Sequence, residues 1–395
     1  MSEMINQYRG YKGIHIIRTG QKYTEYLFLA GVILELIVMM TDHIASWTLP
    51  YRGRVTHVAF VLFCIKILMT RYDLKQGIII ALSVLLGVVS YLTCGDEYII
   101  RAVVLVTASV GINMERSLKI LFWGTLIGTM IIVTMAFCGV CGDIVDIRHY
   151  GRGVEEARFC LGFNHANNVH DILWYLLCLY LLMGRSRLNM SFFVVMTILN
   201  LALYVLTRSR TGLIATQIVI LGALMIRYCA IVRDGIVLQI ACMLSLIMTV
   251  FMTIYGSIYN VLESRLVAVI DKYLTGRLEM LTEHANFKEW QVFPAGRSAE
   301  FVDNGFSTLV YCYGTVIGLF VIAAIMVEIC ILIKYRDSVK ALILVSAILV
   351  TFMESTFVIN ISLLCNMLLI VFTCQSICYC SETEGDEKCS QDRVV

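Results

Sequence analysis

Four short stretches of this chain concentrate side chains suited to recognising hydroxyls and phosphates. RFCLGFNHANNVH, residues 158–170, gathers Arg158, three asparagines and two histidines around one glycine. Amides and imidazoles both donate and accept, so Asn164, His165 and Asn167 suit a sugar. Asn164 or Asn167 would serve equally as the cap that starts a helix. LTRSRTG, residues 206–212, sets Arg208 and Arg210 in a turn barely long enough to leave a bilayer. Planar, multi-donor guanidiniums fit a phosphate ester, and they also snorkel into lipid headgroups. YLTGRLEM, residues 273–280, places Arg277 after a Thr-Gly pair. FVDNGFSTLVYCYG, residues 301–314, puts Asp303 and Asn304 just before an apolar run. There a carboxylate acts as a base, orients a hydroxyl, or caps a helix.

Other chemistries have no signature. The chain carries no P-loop lysine motif, no HExxH and no DxD pair to hold a divalent cation against a nucleotide sugar. Its 15 cysteines are scattered, many inside apolar runs. Cys138 and Cys141 form a CxxC, but no second pair or histidine pair stands at zinc-ligand spacing. Most of these thiols read as small buried apolar groups. No metal and no cofactor is expected.

The elements that must position the four stretches follow from composition. Of 395 residues, 59% are apolar and only 15% charged, against about 25% charged in soluble proteins. That excludes a disordered chain, a coiled coil and a conventional cytosolic enzyme. The net charge of +2 gives no reason to expect nucleic acid. The polar start, with Arg9, Lys12, Arg18 and Lys22, is unlike a cleavable signal. A spanning helix needs about 20 mostly apolar residues. Such runs number about twelve, near 24–41, 55–70, 77–93, 98–114, 120–140, 168–184, 190–206, 212–230, 235–258, 306–333, 341–357 and 359–379. The expected fold is therefore an all-α polytopic membrane protein. Residues 1–380 form one integral membrane domain, and 381–395 form a short acidic tail.

Lysines and arginines in short loops mark the cytoplasmic side. Arg71/Lys75, Arg116/Lys119, Arg185/Arg187, Arg227/Arg233 and Lys334/Arg336/Lys340 all fall on the side of the N-terminal tail. Both termini are then cytoplasmic. Two long loops, about 141–167 and about 259–305, lie outside. They hold Arg148, Arg152, Arg158, Arg265, Arg277 and Arg297, where topology disfavours basic residues. An anionic partner at the outer face would account for them, as would simple solvation of long loops. Within 261–281, Leu262, Leu266, Val269, Ile270, Tyr273, Leu274 and Leu278 recur at helical steps. This predicts an amphipathic helix along the outer interface. Glu35, Glu328, Glu354 and Lys66 fall inside predicted spans without forming an evident relay, and neither Pro50 nor Pro294 interrupts a span.

Taken in order, the four stretches resemble the motifs of Wzy-type polysaccharide polymerases, which are related to the O-antigen ligases. Ala166 stands where members often carry proline, while His165 and Asn167 are kept. Asp303–Asn304 occupies the region where ligases carry a histidine, which favours polymerase over ligase. The resemblance implies the membrane fold of lipid-linked, metal-independent glycosyltransferases, in the bacterial cytoplasmic membrane. The substrate it implies is an undecaprenyl-diphosphate-linked oligosaccharide in the membrane lipid, delivered by a flippase. A chain-length regulator is a further candidate partner, and nucleic acid is not one.

On that resemblance, fixed arginines would stabilise charge on the departing diphosphate without a metal. Arg210 and Arg277 are the first candidates, then Arg158 and Arg208. His165 and Asp303 are candidates to orient or deprotonate the attacking hydroxyl. Asn164, Asn167, Arg297 and Asn304 complete the expected substrate contacts. Competing classes are a ligase-type glycan transferase, a peptidoglycan polymerase, a lipid-oligosaccharide flippase, and a structural or sensory membrane protein.

Overall fold

Apolar runs fold as helices because a backbone shielded from water must satisfy its own N–H and C=O groups. The computed structural model of the chain describes residues 19–354, except 46, 48, 150–154, 185–187, 260–264, 275 and 295–302. Arg297, the predicted twelfth span and the acidic tail lie outside the described residues. The N-terminal half contains α1 (Thr19–Asp42), α2 (Arg52–Met69), α3 (Leu74–Cys94), α4 (Tyr98–Ala108) and α5 (Met114–Phe137). A hairpin of β1 (Val145–His149) and β2 (Glu155–Phe159) follows, antiparallel, with Val145 opposite Phe159. Next come α6 (Ala166–Leu182), α7 (Met190–Thr207), α8 (Arg210–Tyr228), a short α9 (Ala230–Asp234) and α10 (Val237–Ile258). The remaining helices are α11 (Arg265–Tyr273), α12 (Arg277–His284), α13 (Gly305–Tyr313), α14 (Thr315–Tyr335) and α15 (Ser338–Met353).

Among the described residues, seven helices are long and apolar enough to cross a membrane: α1, α3, α5, α7, α8, α10 and α14. Leu92, Val195, Phe251 and Leu319 point outward from four of them, where a soluble protein would carry polar groups. This is the architecture of a multi-pass helical membrane protein. Two further apolar helices, α4 and α15, have only 11 and 16 residues. The buried Lys66 ammonium donates to the Val110 carbonyl just beyond α4. Within the helices, Arg101 grips both oxygens of Glu35 at 2.8 and 3.0 Å, joining α4 to α1.

Two predicted elements divide. The run 306–333 breaks at Gly314 into α13 and a 21-residue α14. Gly314 has φ of 100°, and a Cβ there would run into the Val292 carbonyl. The almost wholly buried α13 reaches from Asn304, beside Phe352 of α15, to Tyr313, whose hydroxyl donates to Asp96 after α3. The predicted single amphipathic helix is likewise two, α11 and α12, with Gly276 left-handed at φ 79° between them. Its buried stripe, Leu278 and Leu281, packs on Gly256 of α10. The hairpin in loop 141–167 had no counterpart in the predicted elements.

The core centres on α15, which is buried along most of its length and packs between α8 and α10 with α6 alongside. Trp174 of α6 donates to Ser346 in its middle. The ends of α1, α10 and α15 and the starts of α6, α8 and α13 gather with the hairpin and α12 at one end of the bundle, termed the cap end. The hairpin is tied there by Asn164 N–H to the His43 carbonyl at 2.8 Å and Ala45 N–H to the Gly162 carbonyl at 3.1 Å.

Candidate functional site

The last turn of α15 delivers Glu354 to the cap end, where its side chain is buried. One oxygen, Oε1, accepts two hydrogen bonds: from Arg277 Nη2 at 2.9 Å and from Asn167 Nδ2 at 3.1 Å. The Thr211 hydroxyl and the Asp303 carboxylate face the same acid. Asp303 also lies 3.9 Å from Arg277. Each of the four stretches singled out in the sequence thus contributes a side chain around Glu354.

Local structure fixes each contributor. His165 caps α6, its Nδ1 accepting from the Asn167 N–H at 3.2 Å, so the histidine sets the angle at which Asn167 enters. Asn200 orients the next histidine, His170, which is fully buried. Its amide donates to Leu213 O and Gln217 Oε1, leaving Oδ1 to accept from His170 Nε2 at 2.7 Å. His170 also touches α8, since a Cβ on Gly212 would fall 2.6 Å from its Cγ. The TG of the arginine turn is therefore a packing requirement: glycine lets α8 approach α6 and bring Thr211 to Glu354.

Arg277 opens α12 after left-handed Gly276. The buried Asp271 accepts from the Leu278 N–H at 2.7 Å, which closes the bend. Thr282 donates to Gly256 O at 2.6 Å and pins α12 to α10. Asn304 is buried and structural: it caps α13 through the Ser307 N–H and donates to Phe352 O at 3.0 Å, two residues before Glu354. Asp303, its neighbour, is half-exposed and free of that task.

The remaining predicted residues sort differently. Arg208 closes α7 in a left-handed conformation at φ 56°, and Arg210 begins α8. Both guanidiniums are exposed and have no hydrogen-bond or ion-pair partner among the described residues. They stand at the amino end of α8, whose dipole also favours an anion. Arg158 is buried on β2 and paired with Glu156 at 2.9 Å. Asn164 belongs to a second cluster: its Oδ1 accepts from Asn168 at 2.5 Å, and the same Asn168 amide lies 3.3 Å from His43 Nδ1. Burial pushes the His43 imidazole down to about 4, which leaves it neutral at pH 7. Next to His43, an almost wholly apolar cleft of about 380 Å³ runs between α1 and α5 past Met40, Ile44 and Gly128.

Glu354, Asp171, Thr211 and His43 were not among the predicted site residues. Glu354 was visible only as an acid inside the predicted span 341–357, and its partners lie 77 and 187 positions away. Asp171 hid within the sixth predicted span. Among the described residues no group of three or more His, Cys, Asp or Glu forms a metal-binding cluster. The cluster combines a buried carboxylate, a half-exposed one and a fixed arginine, and the exposed Arg208 and Arg210 closely precede Thr211, which faces Glu354, in sequence; such groups can hold a diphosphate and orient a hydroxyl. No family model, no curated protein and no solved structure matches the chain.

Proposed function

We propose that the protein polymerises undecaprenyl-diphosphate-linked oligosaccharide repeats at the outer face of a bacterial cytoplasmic membrane. The observation that carries this reading is the meeting of Asn167, Thr211, Arg277 and Asp303 around Glu354 at one end of the bundle. They come from stretches whose order resembles the Wzy-type motifs. In this reading the chain crosses the membrane about twelve times with both termini inside, and the cap end faces outward. Arg208 and Arg210 hold the diphosphate of the growing chain, and Arg277 stabilises charge as it leaves. Asn167 and Asp303 orient hydroxyls of the incoming repeat. The apolar cleft between α1 and α5 offers a seat to the carrier's isoprenoid chain.

Deletion of the gene tests the reading. Lipid-linked single repeats should accumulate on the outer leaflet, and long lipid-linked polymer should disappear. Polymer of normal length on the carrier, with only its transfer to a final acceptor lost, would indicate a ligase instead. Single repeats held on the inner leaflet would indicate a flippase.

A further inference from the structure

Among the described residues, most polar groups that crowd Glu354 have a partner, and one carboxylate, that of Asp171, has none. Glu354 Oε1 takes two hydrogen bonds, Asp303 stands against Arg277, and His165 Nδ1 is occupied by the Asn167 N–H. Asp171 lies four residues after Asn167 on α6 and therefore on the same face, one turn deeper. The residue is partly buried. Among the described residues it has no hydrogen bond and no ion pair. Its one resolved electrostatic neighbour is Glu354, a like charge. A carboxylate kept unpaired at this depth, against a second acid, costs stability and so calls for another explanation.

We propose that Asp171 is the catalytic base for the attacking sugar hydroxyl, an assignment that rests on the polymerase reading above. As the acceptor oxygen bonds to the anomeric carbon, the bond from that carbon to the diphosphate oxygen breaks. Its electron pair leaves on the diphosphate, toward the arginines. The hydroxyl proton passes to the Asp171 carboxylate and then to water. Glu354 takes no proton in this step: it is a positioning residue that holds Asn167 and Arg277 on either side of the reacting groups.

The test is Asp171→Asn, expressed in the deletion strain alongside wild type. The amide matches the carboxylate in shape and removes the repulsion with Glu354. The variant should therefore accumulate normally, and its melting temperature in detergent should equal or exceed that of wild type. Polymer should nevertheless fall by about 100-fold or more, the contribution of a general base, with single repeats building up on the carrier. Polymer within about tenfold of wild type would overturn the assignment. So would a melting temperature several degrees lower, because the carboxylate would then be structural. If deletion itself leaves the repeat-length distribution unchanged, the polymerase reading fails. If deletion shortens the chains and Asp171→Asn does not, only the Asp171 assignment fails.

Discussion

Glu354→Ala probes the join on which the whole site depends. Removing the carboxylate leaves the Arg277 guanidinium, whose side chain is 12% exposed, without its 2.9 Å partner. It also leaves the Asn167 amide without an acceptor. Breaking a buried ion pair from one side costs about 3–5 kcal/mol, mostly because the orphaned charge stays buried. Asp303 remains 3.9 Å from the guanidinium but is half-exposed, so it offsets only part of this. The expected loss is at the lower end, about 3 kcal/mol. Glu354→Gln keeps an acceptor for both donors and loses only the charge, for about 1–2 kcal/mol. Combined with Arg277→Met, Glu354→Ala should show a coupling energy of about 2–3 kcal/mol. The assay is unfolding of purified protein in mixed micelles with rising SDS, followed by circular dichroism. Additivity within about 0.5 kcal/mol would refute the join between α15 and α12.

Three further outcomes follow from the same geometry. Gly212→Ala, which would gain up to about 1 kcal/mol in an ordinary helix, should instead lose about 1–3 kcal/mol by overpacking His170. Adding His170→Ala should relieve part of that clash in the same unfolding assay. Asn304→Asp should retain the cap on Ser307 but sets a buried carboxylate oxygen against the Phe352 carbonyl, so it should cost at least as much as Asn304→Ala, which should lose about 2 kcal/mol or more in melting experiments. Arg208→Ala and Arg210→Ala touch no partner among the described residues, so stability should stay within about 0.5 kcal/mol. Polymer in cells should fall at least tenfold for each, and unaltered polymer would remove that arginine from the site.

Elements were legible where hydropathy alone decides them. The runs 190–206 and 235–258 correspond to α7 (Met190–Thr207) and α10 (Val237–Ile258) within about two residues. Breaks were harder, because a left-handed glycine interrupts a helix without interrupting its apolar pattern. Gly276 and Gly314 each stand within an amphipathic or apolar run, and only the close approach of other backbone shows why the chain bends at 314. At the site, Asn167, Arg277 and Asp303 were recognisable by type and neighbourhood. Whether a polar residue serves as a cap or as a contact was not, and one stretch contains both: Asn304 is the cap and Asp303 faces Arg277. Glu354 and Asp171 were illegible because nothing in their local sequence marks them. Their meaning comes from helices brought together across most of the chain.

Reconstitution tests the central claim most directly. Purified full-length protein in liposomes is supplied with the lipid-linked single repeats extracted from the deletion strain. The products to measure are the length of the lipid-linked glycan and the free undecaprenyl diphosphate released. The account predicts a ladder of lipid-linked oligomers, with one diphosphate carrier freed for each repeat joined and no metal required. Single repeats that stay unjoined, with no carrier released, would contradict it.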